Sequence, residues 1–202
     1  MRLLVAARAA PGAAMTTDDI ASPGDVGTGR TFAEPIPAAL LDAPLDYIFV
    51  DHVRQRSLCA ALRRFTRQGY VDRGEADAVV TYLRHDVDLH HRDEEEDLFP
   101  SLLRRVALED DLGATLARLV EDHRQSRTMI EAISAVMAKR PRTGPVRLGP
   151  AARKLLLAYA ASEHHHLAAE NGIVLAIARV RLTRGDLKAM SATMRDRHGV
   201  VA

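Results

Sequence analysis

Long stretches with apolar residues at three- and four-residue spacing alternate with short stretches rich in proline and glycine. The first long stretch begins after Pro44 and predicts a helix that ends at Gly69. Asp72 opens the second stretch with Glu75 three residues later, which predicts a capping box for a second helix. Pro100 is expected to bend or stop this helix, because proline lacks a backbone N–H.

Two more stretches of the same periodicity predict a third helix over 108–139 and a fourth over 151–182. The segment 140–150 between them is rich in proline and glycine and predicts a loop. Thr183, with Asp186 three residues later, predicts the cap of a short last helix. The sequence shows no alternation typical of strands. Four long helices with short connections predict an all-α fold, an antiparallel up-down-up-down four-helix bundle.

The first 40 residues differ in composition from the rest of the chain. Glycine, proline, alanine, threonine and aspartate dominate them, which predicts a flexible N-terminal tail over 1–40 and the bundle domain over 41–202. The apolar patch at residues 3–7 is shorter than the core of a secretory signal. We expect it to belong to the tail or to precede a translation start at Met15.

Composition narrows the possible partners and surroundings. The 202 residues are 47% apolar and 27% charged, which is typical of one soluble domain with a buried core. A net charge of +1, without aromatic or groove-reading motifs, argues against a nucleic-acid partner. No apolar run reaches the roughly 18 residues of a membrane span. The one cysteine, Cys59, excludes an intrachain disulfide and fits the core of a cytoplasmic protein.

A set of regularly spaced histidines and glutamates provides the candidate functional residues. A histidine and a glutamate four residues apart occur on both the second and the fourth helix, and each other long helix carries one histidine. Residues four apart share one face of a helix. The set comprises His52, His90, Glu94, His123, His166 and Glu170.

These six residues fall at one height of the predicted bundle. At about 1.5 Å per residue, His52 and His90 lie about 24 and 26 Å from the turn that joins their helices. Glu94 and His123 each lie about 18 Å from the next turn. His123 and His166 are also at similar distances from the third connection. The six side chains are therefore expected in one layer.

A layer of four imidazoles and two carboxylates inside a bundle needs compensation, because an unpaired buried charge costs several kcal/mol. A pair of divalent metal ions supplies it, and this donor set suits iron, manganese or zinc. If Glu94 and Glu170 both bridge, each metal receives two nitrogens and two oxygens and keeps open positions. We expect two iron ions, since structural zinc prefers closed tetrahedral sites.

With these motifs the chain resembles the hemerythrin-like HHE cation-binding family. The matching segments are VDHVRQ with His52, HHRDEEEDLFP with His90 and Glu94, VEDHRQ with His123, and HLAAENGIVLA with His166 and Glu170. The resemblance covers about residues 44–180. It implies a four-helix bundle around a carboxylate-bridged, non-haem di-iron centre that interacts with dioxygen or related small molecules. Ala176 stands where the second-helix motif has Pro100, which affects the helix bend and not the ligands.

His91 and Glu95 offer an alternative to His90 and Glu94, since they too stand four residues apart. The distance from Glu94 to the apolar residues that follow matches the distance after Glu170, which favours His90 and Glu94. The other charged neighbours are expected at the surface: His85, Glu95, Glu96, Asp97, His164 and His165.

Glu163 and His166 match the E-x-x-H spacing of ferritin-like di-iron proteins, but the chain has no second copy of that spacing. This interpretation is therefore weak. Tyr82 and Tyr159 are expected to pack in the interior.

Three classes of function fit this pattern: a module that binds or senses a small molecule, an oxidoreductase or iron-centre repair protein, and a metal-binding regulatory module without chemistry. Reversible oxygen carriers of the resembled family have a second histidine four residues away on the third helix. The positions four residues from His123 hold Leu119 and Arg127. The near-symmetric donor set favours reaction with O2, NO or peroxide over reversible oxygen storage.

Overall fold

A computed structural model describes residues 31–107, 112–139 and 144–200. Five α-helical elements contain most of these residues, and the fold is all-α. They are α1 (Pro44–Gln68), α2 (73–103), α3 (Leu112–Ala138), α4 (150–181) and α5 (Arg184–Arg197). The first four correspond to the predicted long helices and α5 to the predicted short one. Residues 108–111, which were assigned to the third helix, lie outside the described residues.

Two helix boundaries follow directly from local chemistry. Gly69 follows α1 with a φ of 82°, a left-handed conformation that glycine adopts without steric penalty. At α5, Thr183 Oγ1 accepts from the Asp186 backbone N–H, and the Asp186 carboxylate accepts from the Thr183 N–H. The predicted capping box of the short last helix is therefore confirmed.

The capping box predicted for α2 is wrong, although Asp72 does occupy the N-cap position. The Asp72 side chain makes no capping hydrogen bond. Glu75 accepts instead from Arg64 Nη2 on α1, at 2.7 Å. For this carboxylate, a salt bridge to a neighbouring helix replaces the local cap.

Helices α2 and α4 each continue through turns of π-helix. The α-helical parts of α2 are Arg73–Thr81, Val87–Arg92 and Phe99–Leu103, and its π turns are Tyr82–Asp86 and Asp93–Leu98. The α-helical parts of α4 are Pro150–Ala169 and Leu175–Arg181, and its π turn is Glu170–Val174. Pro100 does not stop α2, because it comes just after a π turn, whose wider backbone accommodates the missing N–H.

Two short strands, which the sequence did not predict, join the end of α1 to the segment before α4. Tyr70–Val71 (β1) pairs antiparallel with Val146–Arg147 (β2). Val71 and Val146 are buried and extend the core at this end. A strand of two residues is too short to show the alternation by which strands are identified.

Residues 31–42 pack against the helices, although composition assigned the chain up to residue 40 to a flexible tail. Phe32 and Ile36 are buried, and Ala38–Asp42 form a 3₁₀ helix. Phe32 and Ile36 hold this segment against the helices. The overall composition of residues 1–40 does not reveal two single apolar residues. The rest of the predicted tail, residues 1–30, lies outside the described residues.

Most buried apolar side chains of the described residues form two clusters, and each of the helices α1 to α4 contributes to both. The first core cluster includes Leu58, Leu83, Ile130 and Tyr159. The second core cluster includes Ile48, Leu98, Leu119 and Val174. On every one of these helices, the predicted donors stand between the two contributions. Among the described residues, no helix is long and apolar enough to cross a membrane.

Candidate metal centre

The six predicted donors lie together between the two core clusters. Two groups of four residues each place their ligand atoms within 4.8 Å of one another. One group is His52, His90, Glu94 and Glu170, and the other is Glu94, His123, His166 and Glu170. Glu94 and Glu170 belong to both groups, and all six residues are buried.

The donor atoms approach one another closely, yet most of them lack a hydrogen-bond partner among the described residues. The exceptions are the Nε2 atoms of His123 and His166, which lie 3.0 Å apart and form a hydrogen-bonded pair. His52 Nε2 lies 3.5 Å from Glu94 Oε1 and 3.4 Å from Glu170 Oε2. Among the described residues, the four oxygens of these two carboxylates have no hydrogen-bond partner with acceptable geometry, and neither does Nε2 of His52 or His90. Such unpaired buried groups are destabilising. Their convergence on common points fits a divalent cation, which would use the same lone pairs.

Burial and mutual charge determine how these residues hold protons. Burial lowers the pKa of His123, but the neighbouring carboxylates, Glu170 first among them, outweigh it and raise the pKa to about 11. Glu170 likewise overcomes the effect of burial on His166 and raises its pKa to about 9. Burial favours the neutral form of Glu94, but the surrounding histidines hold its pKa well below the usual value. A metal ion must therefore displace protons from these imidazoles, which makes binding pH-dependent.

Each of the four histidines directs Nε2 at the centre and Nδ1 at an oxygen atom outside it. Such outer partners fix the orientation of the ring and increase its basicity as a ligand. The distances from Nδ1 to oxygen are 3.1 Å for His52–Asn171, 3.3 Å for His90–Asp51, 2.8 Å for His123–Glu95 and 3.5 Å for His166–Asp122. The His166–Asp122 contact lacks the geometry of a hydrogen bond, so it is electrostatic. Sequence reasoning missed these four partners. A signal was present, since each partner directly precedes or follows a donor along the chain.

Both shared glutamates lie in π turns. Glu94 belongs to Asp93–Leu98 and Glu170 begins Glu170–Val174. A π turn changes the direction in which the following side chains point, and such turns occur frequently at functional sites. The turn in α4 forms although Ala176 stands at the position equivalent to the proline of α2, so the distortion does not depend on proline.

His90 and Glu94, not His91 and Glu95, belong to the donor groups. His91 is nevertheless 1% exposed, and its ring stacks on His123 with centroids 3.9 Å apart. Burial, reinforced by His123, lowers the pKa of His91 well below its usual value. A neutral His91 ring therefore packs against a donor without belonging to either group.

The other charged neighbours divide between the surface and the supporting layer. Four of them are exposed, as predicted: His85, Glu96, His164 and His165. The prediction of Glu95 as a surface acid is wrong, because its half-buried carboxylate accepts from His123 Nδ1 and from Arg127 Nη2. Asp97 is also half-buried and accepts from Arg197 Nη1 at 2.8 Å. Long side chains from neighbouring helices cover both acids, which periodicity within one helix cannot show.

Comparison with known proteins agrees with this geometry. The family described as Hemerythrin HHE cation binding domain matches residues 43–178, a range that contains all six donors. No curated protein and no solved structure gives a significant match to the chain. The buried histidine and glutamate groups are compatible with binding of metal cations. The chain belongs to the hemerythrin HHE cation-binding domain family.

Proposed function

We propose that the protein is a non-haem di-iron protein that binds or reacts with dioxygen, nitric oxide or peroxide. The observation that carries the proposal is the pair of four-donor groups that share Glu94 and Glu170. Two shared carboxylates suit two cations held side by side, and imidazole with carboxylate suits iron. The ions supply Lewis-acid and one-electron redox chemistry. Manganese or zinc would accept the same donors, so iron itself belongs to the proposal.

The residues divide into equal halves in this proposal. His52 and His90 would hold one ion, His123 and His166 would hold the other, and Glu94 and Glu170 would contribute to both. Helices α1 to α4 then form an antiparallel up-down-up-down bundle with the ions midway along it. This topology is supported by the order in which each successive helix contributes first to one core cluster and then to the other.

Equal halves favour reaction over reversible storage of oxygen. Leu119 is buried in the second core cluster, and Arg127 pairs with Glu95 at 2.7 Å, so neither adds a donor beside His123. Four protein donors per ion leave positions at both ions for exchangeable ligands. With a net charge of +1 and one cysteine, we also propose a cytoplasmic location without nucleic-acid or membrane partners.

The test is rapid mixing of iron-loaded, reduced protein with air-saturated buffer, followed by absorbance. We expect rapid and irreversible oxidation, with new absorption in the near-ultraviolet and visible range. Zinc-loaded protein is the control and should show no change. Oxygen that is taken up for hours and returned intact under vacuum would contradict the reactive function and make the protein a carrier.

A further inference from the structure

The donor layer has an apolar face toward the second core cluster. On each long helix, the residue four positions from a donor, in the direction of the second core cluster, is apolar and 0% exposed. These residues are Ile48, Leu98, Leu119 and Val174. They offer hydrocarbon alone to anything bound at the centre.

The face toward the first core cluster is different. Three residues from a histidine donor on each long helix stand Gln55, Val87, Ser126 and Glu163. Three of these four side chains are polar, although Gln55 is 1%, Ser126 is 6% and Glu163 is 4% exposed. We call Gln55, Ser126 and Glu163 the polar layer.

The polar layer contains unpaired hydrogen-bonding atoms. Among the described residues, no partner exists for Gln55 Nε2 and Oε1, Ser126 Oγ or Glu163 Oε1. The Ser126 hydroxyl lies beside the Tyr159 phenol, but without the geometry of a hydrogen bond. Buried polar groups in native proteins are nearly always paired, and leaving them unpaired is destabilising. Three such side chains in one layer indicate a ligand that pairs with them.

Glu163 connects the polar layer to both halves of the centre. Its carboxylate interacts electrostatically with His166 and Glu170, and also with His90 and His123. Burial raises the pKa of this carboxyl group above its usual value. It belongs to neither donor group, although it lies one helical turn before His166.

We propose that the polar layer is the binding site for a small exogenous ligand that both donates and accepts hydrogen bonds, such as hydrogen peroxide. The Gln55 amide and the Ser126 hydroxyl donate to the ligand, and the Glu163 carboxyl oxygen accepts from it. The opposite, apolar face cannot pair with such a ligand. This inference rests on the proposed metal centre, whose exchangeable positions would then face Glu163.

The first test uses azide, a small ion that accepts hydrogen bonds, as the probe. Azide is titrated into the iron-loaded, oxidised protein, and nitric oxide, a weak acceptor, into the reduced protein. Loss of two donors in the combined variant Gln55→Met, Ser126→Ala should weaken azide binding about tenfold or more. Nitric oxide binding should change less than about twofold. The matched control is Leu119→Met on the apolar face, a volume-conserving change that should alter neither affinity.

The second test is the thermal stability of the same variants. Replacing unpaired polar groups by apolar ones should maintain the Tm or raise it by about 2–4 °C. If the polar layer instead pairs with other protein groups, the Tm of the combined variant falls and the proposal is wrong.

The two proposals fail in different ways. Wild-type protein that takes up no metal would contradict the proposed function. Normal metal content with azide affinity unchanged in the combined variant would overturn the polar layer as a ligand site. Equal weakening by Leu119→Met would overturn it as well, since the effect would then not depend on hydrogen bonding.

Discussion

The two halves of the candidate centre repeat one arrangement of residues and differ in the charge of one outer partner. In each half, the carboxylate of the residue before the first histidine lies near Nδ1 of the second histidine. Asp51 Oδ2 is 3.3 Å from His90 Nδ1, and Asp122 Oδ2 is 3.5 Å from His166 Nδ1. In each half, the first histidine is supported by the residue after a shared glutamate. That residue is Asn171 for His52 and Glu95 for His123.

This difference gives His52 a neutral amide as its outer partner and His123 a charged carboxylate. The hydrogen bond from His123 lowers the pKa of Glu95, so the group is ionised at neutral pH. Anionic outer partners increase the basicity of a histidine ligand. Equal donor sets therefore do not imply equal metal affinities. We expect the His123–His166 half to bind its ion more tightly.

The largest effect should come from the residues that the halves share. Glu94→Ala and Glu170→Ala should each release both ions, because each glutamate belongs to both donor groups. Elemental analysis after metal loading measures the loss. Glu96→Ala is the control, since Glu96 is exposed and pairs with Arg92. Equal loss of metal from the Glu96 variant would contradict the assignment of the donors.

Removing the metal should destabilise both halves together. At a free metal concentration about a thousandfold above Kd, binding stabilises the folded state by about 4 kcal/mol. The Tm of the metal-free protein should therefore be lower by about 8–16 °C. Calorimetry of the two forms tests this, and identical Tm values would show that the ions do not bind in the core.

Without metal, pH should affect the His123–His166 half strongly. The folded-state pKa of His166 is about 9, above its unfolded value of about 6.5. Its contribution to stability is therefore complete below about pH 6.5 and is lost as the pH rises through about 9. We expect the free energy of unfolding to fall on the order of 3 kcal/mol over this range.

Denaturant unfolding at several pH values measures this effect, with His166→Gln as the control that lacks the titrating group. The slope should be flatter in that variant. The metal-loaded protein should show no such loss, because the metal keeps the imidazoles unprotonated. An equal decline in wild type and His166→Gln would assign the pH dependence to other groups.

The smallest predicted effect tests the difference between the halves directly. Glu95→Gln should weaken one of the two metal-binding steps about tenfold, and Asn171→Asp should strengthen the other by a similar factor. Stepwise titration against a competing chelator separates the two affinities. The two steps should converge in each variant. If the steps diverge further in either variant, the roles of Glu95 and Asn171 are reversed.

Most of the fold and the donor set could be predicted from spacing along single helices. Apolar periodicity located the helices, and the heights of His52 and His90 relative to a shared turn placed them in one layer. These arguments succeed because a helix rises by a fixed distance per residue and places residues three or four apart on the same face. Features that depend on contact between helices could not be predicted in this way. Glu95 needs Arg127 and His123 from α3 to become half-buried.

The π turns show a second limit. Pro100 was expected to bend or stop α2, yet the helix continues through it, just after a π turn that holds Glu94. The same distortion surrounds Glu170 without a proline. Among the described residues a further π turn, Tyr82–Asp86, holds no donor, so neither a proline nor the donors alone determine where these helices are distorted.

A crystal structure of the iron-loaded protein, with anomalous data at the iron edge, tests the central claim most directly. Two anomalous peaks should lie side by side, one next to His52 and His90 and the other next to His123 and His166. The carboxylates of Glu94 and Glu170 should contact both peaks. A single peak, no peak, or a peak held by His91 would contradict this account of the centre.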